Sequence, residues 1–341
     1  MKLMKAKPAS SVKRKIPDVS VVILNFNGRD YLRKCLQSLR RQSYRGFEVI
    51  VSDNNSADGS QEMVEKEFPE VRLLKNQQNY GVSRGYNIGV AAARGRFVAT
   101  LANDMVLNKG WIKEAVKILK EDSRAAAVGS FIQNKEGGFY RGEKVFGFYM
   151  DLLGNPLTLH EETPGYIFGP SGAMFDKAKV GMPYDSDFFY SGDEIYLGWK
   201  ALMLGSNTAQ ANKARLFHEG RVSINSVRGI SEFAEYHGER NRYLNLFIFY
   251  GAGTLIKLLP LVVFNVIVTL LLSMPSLRTH IRIKAYLWLL SHTGLIMKKR
   301  NAMQQLRKAN RVSEKDVFRY ISGRIPYSLG FLTPIANKLL L

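Results

Sequence analysis

Short β-branched runs alternate with amphipathic segments through the first hundred residues. VSVVILNFN (19–27) reads as a strand covered on both faces, because its apolar residues run on without alternation. In RDYLRKCLQSLRRQ (29–42), Tyr31, Leu32, Cys35, Leu36 and Leu39 fall on one helical face. FEVIVSD (47–53) reads as a second buried strand that ends on an acid and runs into NNSADGS. A helix over 60–68, a strand VRLLKN (71–76), the loop NQQNYGVSRGYNIG, an Ala-rich helix ending near Gly95 and a strand RFVATLAND (96–104) follow. Strands alternating with helices predict βαβ units, a parallel sheet and right-handed crossovers. Open α/β sheets bind ligands at the carboxyl ends of their strands. Here those ends are Asn25/Asn27, Asp53/Asn54 and Asn103/Asp104, all polar.

The pattern changes near residue 225 to apolar helix interrupted by basic clusters. TLIKLLPLVVFNVIVTLLLSM (254–274) is long enough to be tested as a transmembrane helix. Lys257, Pro260 and Asn265 interrupt it, and both flanks are basic: Arg240 and Arg242 before, Arg278, Arg282, Lys284 and Lys298–Lys299–Arg300 after. Spanning would place one basic flank outside, against the positive-inside tendency. Helices lying in, or dipping into, the cytoplasmic interface are therefore the preferred expectation. A helical subdomain packed on the rest of the chain, or buried in a homodimer, is the alternative. The division expected is a basic tail (1–17), an α/β domain (18–225) and a helical, membrane-associating region (226–341).

Charge sharpens this picture. Of 49 Lys/Arg and 29 Asp/Glu, giving a net charge of +20, the excess sits at the two ends, and residues 18–220 are nearly balanced. Such ends suit an anionic partner, a nucleic acid or an anionic leaflet. The apolar helices between the basic clusters favour the membrane surface, and no nucleic-acid recognition motif appears. The single cysteine, Cys35, sits among apolar helical positions and excludes an intramolecular disulfide framework and a Cys-rich zinc site. The first fifteen residues lack the apolar run of a signal peptide, so a reducing cytoplasmic compartment is expected.

Singly, the polar positions have ordinary readings. Asp53 after a strand could cap a helix, Asp58–Gly59 could be a turn, and the glycines near 81 and 89 could serve tight backbone geometry. The ordered set is more specific. VVILNFNGRDYLRKCLQSL, VSDNNSADGS, NYGVSRGYNIGVAAARG, FVATLANDMVL, GPSGAMFDKAKV (169–180), FFYSGDEIYLGWKALMLG (188–205) and LFHEGRVS (216–223) together resemble the family 2 inverting glycosyltransferases of the GT-A fold. They are most similar to the rhamnosyltransferase-like branch.

That resemblance implies a mixed, mainly parallel sheet flanked by helices, of Rossmann-like nucleotide-diphospho-sugar transferase type, and a site built from matching positions. Asp53 would accept a hydrogen bond from the nucleotide base, with Asn25 and Asn27 closing the pocket and Asn54 and Ser56 beside them. Asn79, Gly81 and Asn87 resemble the loop that shapes the donor pocket, with Arg84 as a candidate phosphate contact. Asn103 and Asp104 match the short motif that holds a divalent cation, with Met105 where many relatives have a small or acidic residue. Asp104 is the one carboxylate placed on the metal there, and His218 matches a histidine that often completes the metal or diphosphate site. One carboxylate with diphosphate oxygens and water suffices for Mg²⁺ or Mn²⁺, and an imidazole tilts the choice toward Mn²⁺.

Alignment on Trp199–Lys200 places Asp193 and Glu194 on the family's catalytic acidic pair, with Glu194 the general base and Asp193 its alternative. The pair is reversed relative to the family order, Tyr196 stands where a second acid is expected, and Lys200 replaces an arginine. Gly172 and Trp199 are expected on the acceptor side. The implied activity is transfer of a sugar from a nucleotide-sugar donor to a glycan or lipid-linked acceptor at the cytoplasmic face of the membrane. The alternative is a catalytically inactive GT-A-like membrane- or glycan-binding protein, which the departures at 193–200 favour and the intact Asp53 and Asn103–Asp104 oppose.

Overall fold

The computed structural model describes residues 16–133, 144–145, 147–159, 166–167, 169–218, 231–275, 277–318 and 321–322. The basic tail before residue 16 and the boundary expected near 225 lie outside them. The chain first forms β1 (Val19–Asn25), α1 (Arg29–Arg40), β2 (Phe47–Asp53), α2 (Ser60–Glu67), β3 (Arg72–Lys75), α3 (Gly81–Ala92) and β4 (Phe97–Ala102). Next come β5 (Met105–Leu107), α4 (Trp111–Glu121), β6 (Ala125–Gln133), β7 (Lys144–Val145), β8 (Gly147–Asp151), β9 (Pro156–Leu159) and β10 (Tyr166–Ile167). β11 (Met174–Asp176), α5 (Lys177–Val180), α6 (Asp193–Met203) and β12 (Asn207–His218) complete the sheet domain. The remaining elements are α7 (Glu232–Phe249), α8 (Ala252–Ser273), α9 (Thr279–Ser291), α10 (Thr293–Ala309), α11 (Glu314–Phe318) and β13 (Ile321–Ser322).

The main sheet runs β10-β12-β6-β11-β4-β1-β2-β3, with β5 beside β12 and β7 beside β6. β3, β2, β1 and β4 are parallel, and β11 joins β4 and β6 antiparallel. The alternation of β1 explains why its run is apolar throughout. Val19, Val21 and Ile23 pack against Leu32, Leu36 and Trp111 in one layer, and Val22 packs with Tyr86, Val90 and Leu197 in the other. Cys35 is fully buried in the first layer, and burial pushes its thiol up, so it is held inert.

Strand register decides where the site falls. Asn25 pairs with Asp53, Asp53 with Lys75, and Leu24 with Ala102, so four carboxyl ends lie level. The chain fills the sheet from β1 to β3 on one side and then returns to place β4 on the other. The crevice at this switch in direction lies between β1 and β4. The strand expected over 96–104 stops at Ala102: Asn103 and Asp104 form a turn, and Met105–Leu107 departs to pair with β12. This break turns the polar pair into the crevice.

A second core joins α6 to the C-terminal helices. Trp199 is wholly buried and stacks on Phe249 of α7 at 5.3 Å, with Tyr243, Leu246, Leu289 and Ile296 in the same cluster. α8 is inverted in polarity. Thr254, Asn265 and Ser273 are among its few buried residues, and Asn265 donates to the Tyr243 hydroxyl at 2.8 Å. Ile256, Leu259, Ile267, Leu271 and Leu272 face outward, and Leu287 and Leu290 of α9 do the same. An 18-residue stretch of α8 has a mean hydropathy of 2.5, and by length and composition the helix could cross a membrane.

Gly95 marks the closest approach of the loop before β4 to β1. A Cβ there would lie 2.6 Å from the Ser20 amide nitrogen and 2.6 Å from the Val19 carbonyl carbon. Backbone cannot rotate aside as a side chain can. Gly95→Ala is predicted to cost about 1–3 kcal/mol, read as a lower denaturation midpoint with an unchanged slope.

Candidate active site

The strand ends form one continuous polar network. Asp53 is fully buried and accepts four hydrogen bonds: from the Ser56 amide (2.8 Å), the Ser56 hydroxyl (2.7 Å), Asn25 Nδ2 (2.7 Å) and Gln61 Nε2 (2.7 Å). These fill the carboxylate's acceptor positions. Asn25 in turn accepts from Asn103 Nδ2 at 2.7 Å, which ties β1 to the turn after β4. Asn27 has a left-handed backbone (φ 49°) and caps the Ala57 amide at 2.8 Å. Asn54 donates to Asn79 Oδ1 and to the Gly81 carbonyl, both at 3.0 Å, and Asn76 donates back to Asn54 at 2.9 Å. Thus Asn25, Asn27, Asp53, Asn54, Ser56, Asn79, Gly81 and Asn103 are brought together.

Gly81 is constrained twice. Its φ is +77°, and a Cβ would lie 2.5 Å from the Phe189 carbonyl oxygen. The loop before α6 therefore sits directly on the start of α3. Asn87, six residues further along α3, donates to the Tyr184 carbonyl at 2.8 Å and so fastens the segment that leads into the same loop. Arg84 is exposed, its guanidinium 4.2 Å above the Tyr80 ring.

Asp193 and Glu194 occupy the first turn of α6, after Gly192 at φ 84°. The helix N-terminus favours negative charge, but burial opposes it and raises both carboxyls above the ordinary range. For Glu194 burial is the largest cause, and the charge of Asp193 adds to it. Ser171 Oγ donates to Glu194 Oε1 at 2.6 Å, which favours the ionised form. Across the crevice, Asp104 Oδ1 lies 3.2 Å from His218 Nε2. Burial alone lowers the imidazole, but the hydrogen bond and charge of Asp104, with the charge of Glu194, outweigh it and raise His218.

These groups lie within electrostatic reach of one another. The Tyr86 phenol is pushed well up by burial first, and then by the charges of Tyr184, Asp193, Glu194 and Asp104. One side chain therefore senses all three carboxylates. Among the described residues no group of three or more His, Cys, Asp or Glu side chains is arranged to hold a metal. Asp104 and His218 offer one oxygen and one nitrogen at a single edge, a donor set that fits a divalent cation whose remaining ligands come from a diphosphate and water.

One expected acceptor-side residue lies elsewhere. Trp199 is wholly buried in the second core because its indole stacks on Phe249, so it lines no cleft. Gly172 (φ 54°) packs its Cα against Leu216 and Ser130. Ser171, its neighbour, makes the contact to Glu194. The GPSGAM segment held that serine in view, but only folding reveals its partner. Gly28, where a Cβ would collide with Asn103 Nδ2, and Asn76 were likewise invisible as site residues.

The fold is that of the GT-A transferases. The crystal structure of S. aureus TarS residues 1–349 in complex with UDP-GlcNAc superposes with a TM-score of 0.53 over 94% of this chain and 87% of that one, at 17% identity. GalNAc-T7 with UDP, GalNAc and Mn²⁺ gives a TM-score of 0.55 over 70% of this chain and 49% of that one, at 16% identity. Residues 20–180 match the family model of Glycosyl transferase family 2, and the chain carries a domain of that family. A Campylobacter jejuni relative, GalNAc(5)-diNAcBac-PP-undecaprenol beta-1,3-glucosyltransferase, is 32% identical over 127 residues, which are 36% of this chain and 40% of the relative. The matched segments span about half or less of the curated relatives' own length.

The raised carboxyls carry a stability consequence. A carboxyl whose folded pKa exceeds its unfolded value stabilises the fold below the unfolded pKa, near 4.3, and that contribution is lost as pH rises through the folded value. Glu194→Gln is therefore predicted to melt higher than the wild type at pH 8. The difference should vanish as pH falls toward 4, in thermal scans across that range.

Proposed function

We propose that this chain is a divalent-cation-dependent, inverting glycosyltransferase acting at a membrane surface. The observation that carries this reading is the Asp193–Glu194 pair at the start of α6, its carboxyls raised by burial, within electrostatic reach of the Asp104–His218 pair. Glu194 takes the proton of an acceptor hydroxyl, with Asp193 the alternative base. The acceptor oxygen forms a bond to the anomeric carbon as the bond from that carbon to the diphosphate breaks, so the configuration inverts. The nucleoside diphosphate leaves. Asp104 and His218 would hold the cation, which neutralises charge on the departing diphosphate. A base raised by burial suits neutral pH, because the ideal pKa lies near the operating pH.

The strand-end network serves the nucleotide. With Asp53 saturated by protein donors, a base edge binds it by displacing one of them, and Gln61 Nε2 reaches in from α2 to make such a contact. Arg84 supplies positive charge at the mouth for the phosphates. The acceptor is a glycan or lipid-linked hydroxyl; the name of the Campylobacter relative, a glucosyltransferase named for a PP-undecaprenol-linked glycan, supports that class.

The outward Leu and Ile of α8 and α9 suit lipid better than water, since polar residues occupy the inner side of α8. Lys257, Lys284 and Lys298 are exposed near this face and suit anionic headgroups. This supports location at the cytoplasmic face of the membrane.

Thermal shift against a panel of nucleotide-sugars with Mn²⁺ identifies the donor, since ligand at a hundred times its Kd stabilises by about 2.7 kcal/mol. With that donor, Glu194→Ala should lower kcat by about 10²- to 10⁴-fold, and Asp104→Ala should weaken metal-dependent nucleotide binding. Full turnover by Glu194→Ala and Asp193→Ala variants would refute the assignment of the base. Binding of donor without any transfer by the wild type would favour the inactive binder. Separately, the protein should float with anionic vesicles, and Leu259→Glu with Leu271→Glu should release it. A dimer that forms through this face and ignores vesicles would overturn the membrane reading.

A further inference from the structure

The acid pair is aimed by a turn that is unusual in itself. Ser191 (φ 65°) and Gly192 (φ 84°) are consecutive left-handed residues immediately before Asp193. A non-glycine residue holds that conformation only where its surroundings impose it. The imposing group is Asn241, on the C-terminal helix α7. Its Nδ2 donates to the Tyr190 carbonyl at 2.8 Å and to the Ser191 carbonyl at 2.7 Å. Its Oδ1 accepts from Arg240 Nε at 2.9 Å and Nη2 at 2.8 Å, which fixes the amide's orientation. Arg240 Nη2 also donates to the Asp187 carbonyl at 2.9 Å. Both side chains are buried, and a Cβ on Gly192 would lie 3.2 Å from Asn241 Cβ.

The same loop is gripped at two other places. The Val82 amide, at the start of α3, donates to the Phe189 carbonyl at 2.7 Å. Lys299 of α10 pairs with Asp185 and, at 2.6 Å, with Asp187. Residues 185–192 therefore bridge the donor-side helix α3 and the C-terminal helices. Asn241 lies beyond residues 20–180, the segment matched to the family.

We propose that Asn241, oriented by Arg240, is a positioning residue that holds the Ser191–Gly192 turn and thereby aims Asp193 and Glu194 at the crevice. This rests on the transferase reading for the role of the acids, but not for the hold on the turn. The C-terminal region then completes the active site as well as anchoring the chain, and the turn is tied to the helices proposed to meet the membrane.

The test compares Asn241→Ala, Asn241→Asp and Leu246→Ala in the full chain. Leu246 is a buried residue of α7 whose side chain packs beside Gly154. Asn241→Ala should lower kcat about ten- to a hundred-fold, the scale of loss that follows small misplacement of a reacting group, with donor KM unchanged. Asn241→Asp, which sets an acceptor against two carbonyls, should lose at least as much. Leu246→Ala should melt lower but keep kcat at temperatures where it is folded. Amide hydrogen exchange over 187–194 should quicken in Asn241→Ala and not in Leu246→Ala. Wild-type kcat in both Asn241 variants, or unchanged exchange across the turn, would overturn the proposal. If the wild type transfers no sugar while exchange still quickens, the transferase reading has failed and the hold on the turn stands.

Discussion

Keeping carboxylates out of water is costly unless each is matched by donors or opposite charge, and the architecture here is arranged around that constraint. Asp53 meets it with four donors from β1, α2 and its own turn. Asp104 meets it with His218. Asp193 and Glu194 meet it least, with one serine hydroxyl on Glu194 and a helix N-terminus, and their carboxyls rise accordingly. The pair left least compensated holds the group proposed to take up a proton. Under-compensation at that point, amid saturation elsewhere, is what separates a reactive group from a scaffold.

That contrast divides the crevice into two halves. The strand-end half is built from asparagines that bond one another, so it is rigid before any ligand enters. The α6 half hangs on a loop whose backbone carbonyls are claimed by α3, α7 and α10. Preorganised groups cost no rearrangement at the moment of reaction. The donor side gains this from local sheet register, and the acid side from contacts about fifty residues distant in sequence.

The C-terminal helices link location to chemistry. Their second core includes Trp199 and Tyr196 of α6, so the helix bearing the acids is packed on both its sheet face and its α7 face. Where the family pattern leads one to expect an acid, Tyr196 packs edge-on against Phe188 and Phe249. An apolar ring there fills the interface with α7 that an acid could not. Apolar surface turned outward on α8 and α9 sits on the far side of this core, and the buried polar contacts of α8 keep its orientation fixed.

The order of strands and helices through residue 102 was legible in the residues because central parallel strands need unbroken β-branched runs and their flanking helices need one apolar face. The polar strand ends were legible for the same reason: they stand out where an apolar run stops. The strand expected to reach 104 ended at Ala102 because the chain turns at Asn103–Asp104 and Met105–Leu107 pairs with β12 instead, a distant partner that no local pattern reveals. Trp199 looked like a site residue by its place in a motif, and its stacking on Phe249 put it in the core. Ser171, Asn76 and Asn241 carried no signal of their partners. Each acts through a hydrogen bond to a residue at least twenty positions away, and such pairings exist only once the chain has closed on itself.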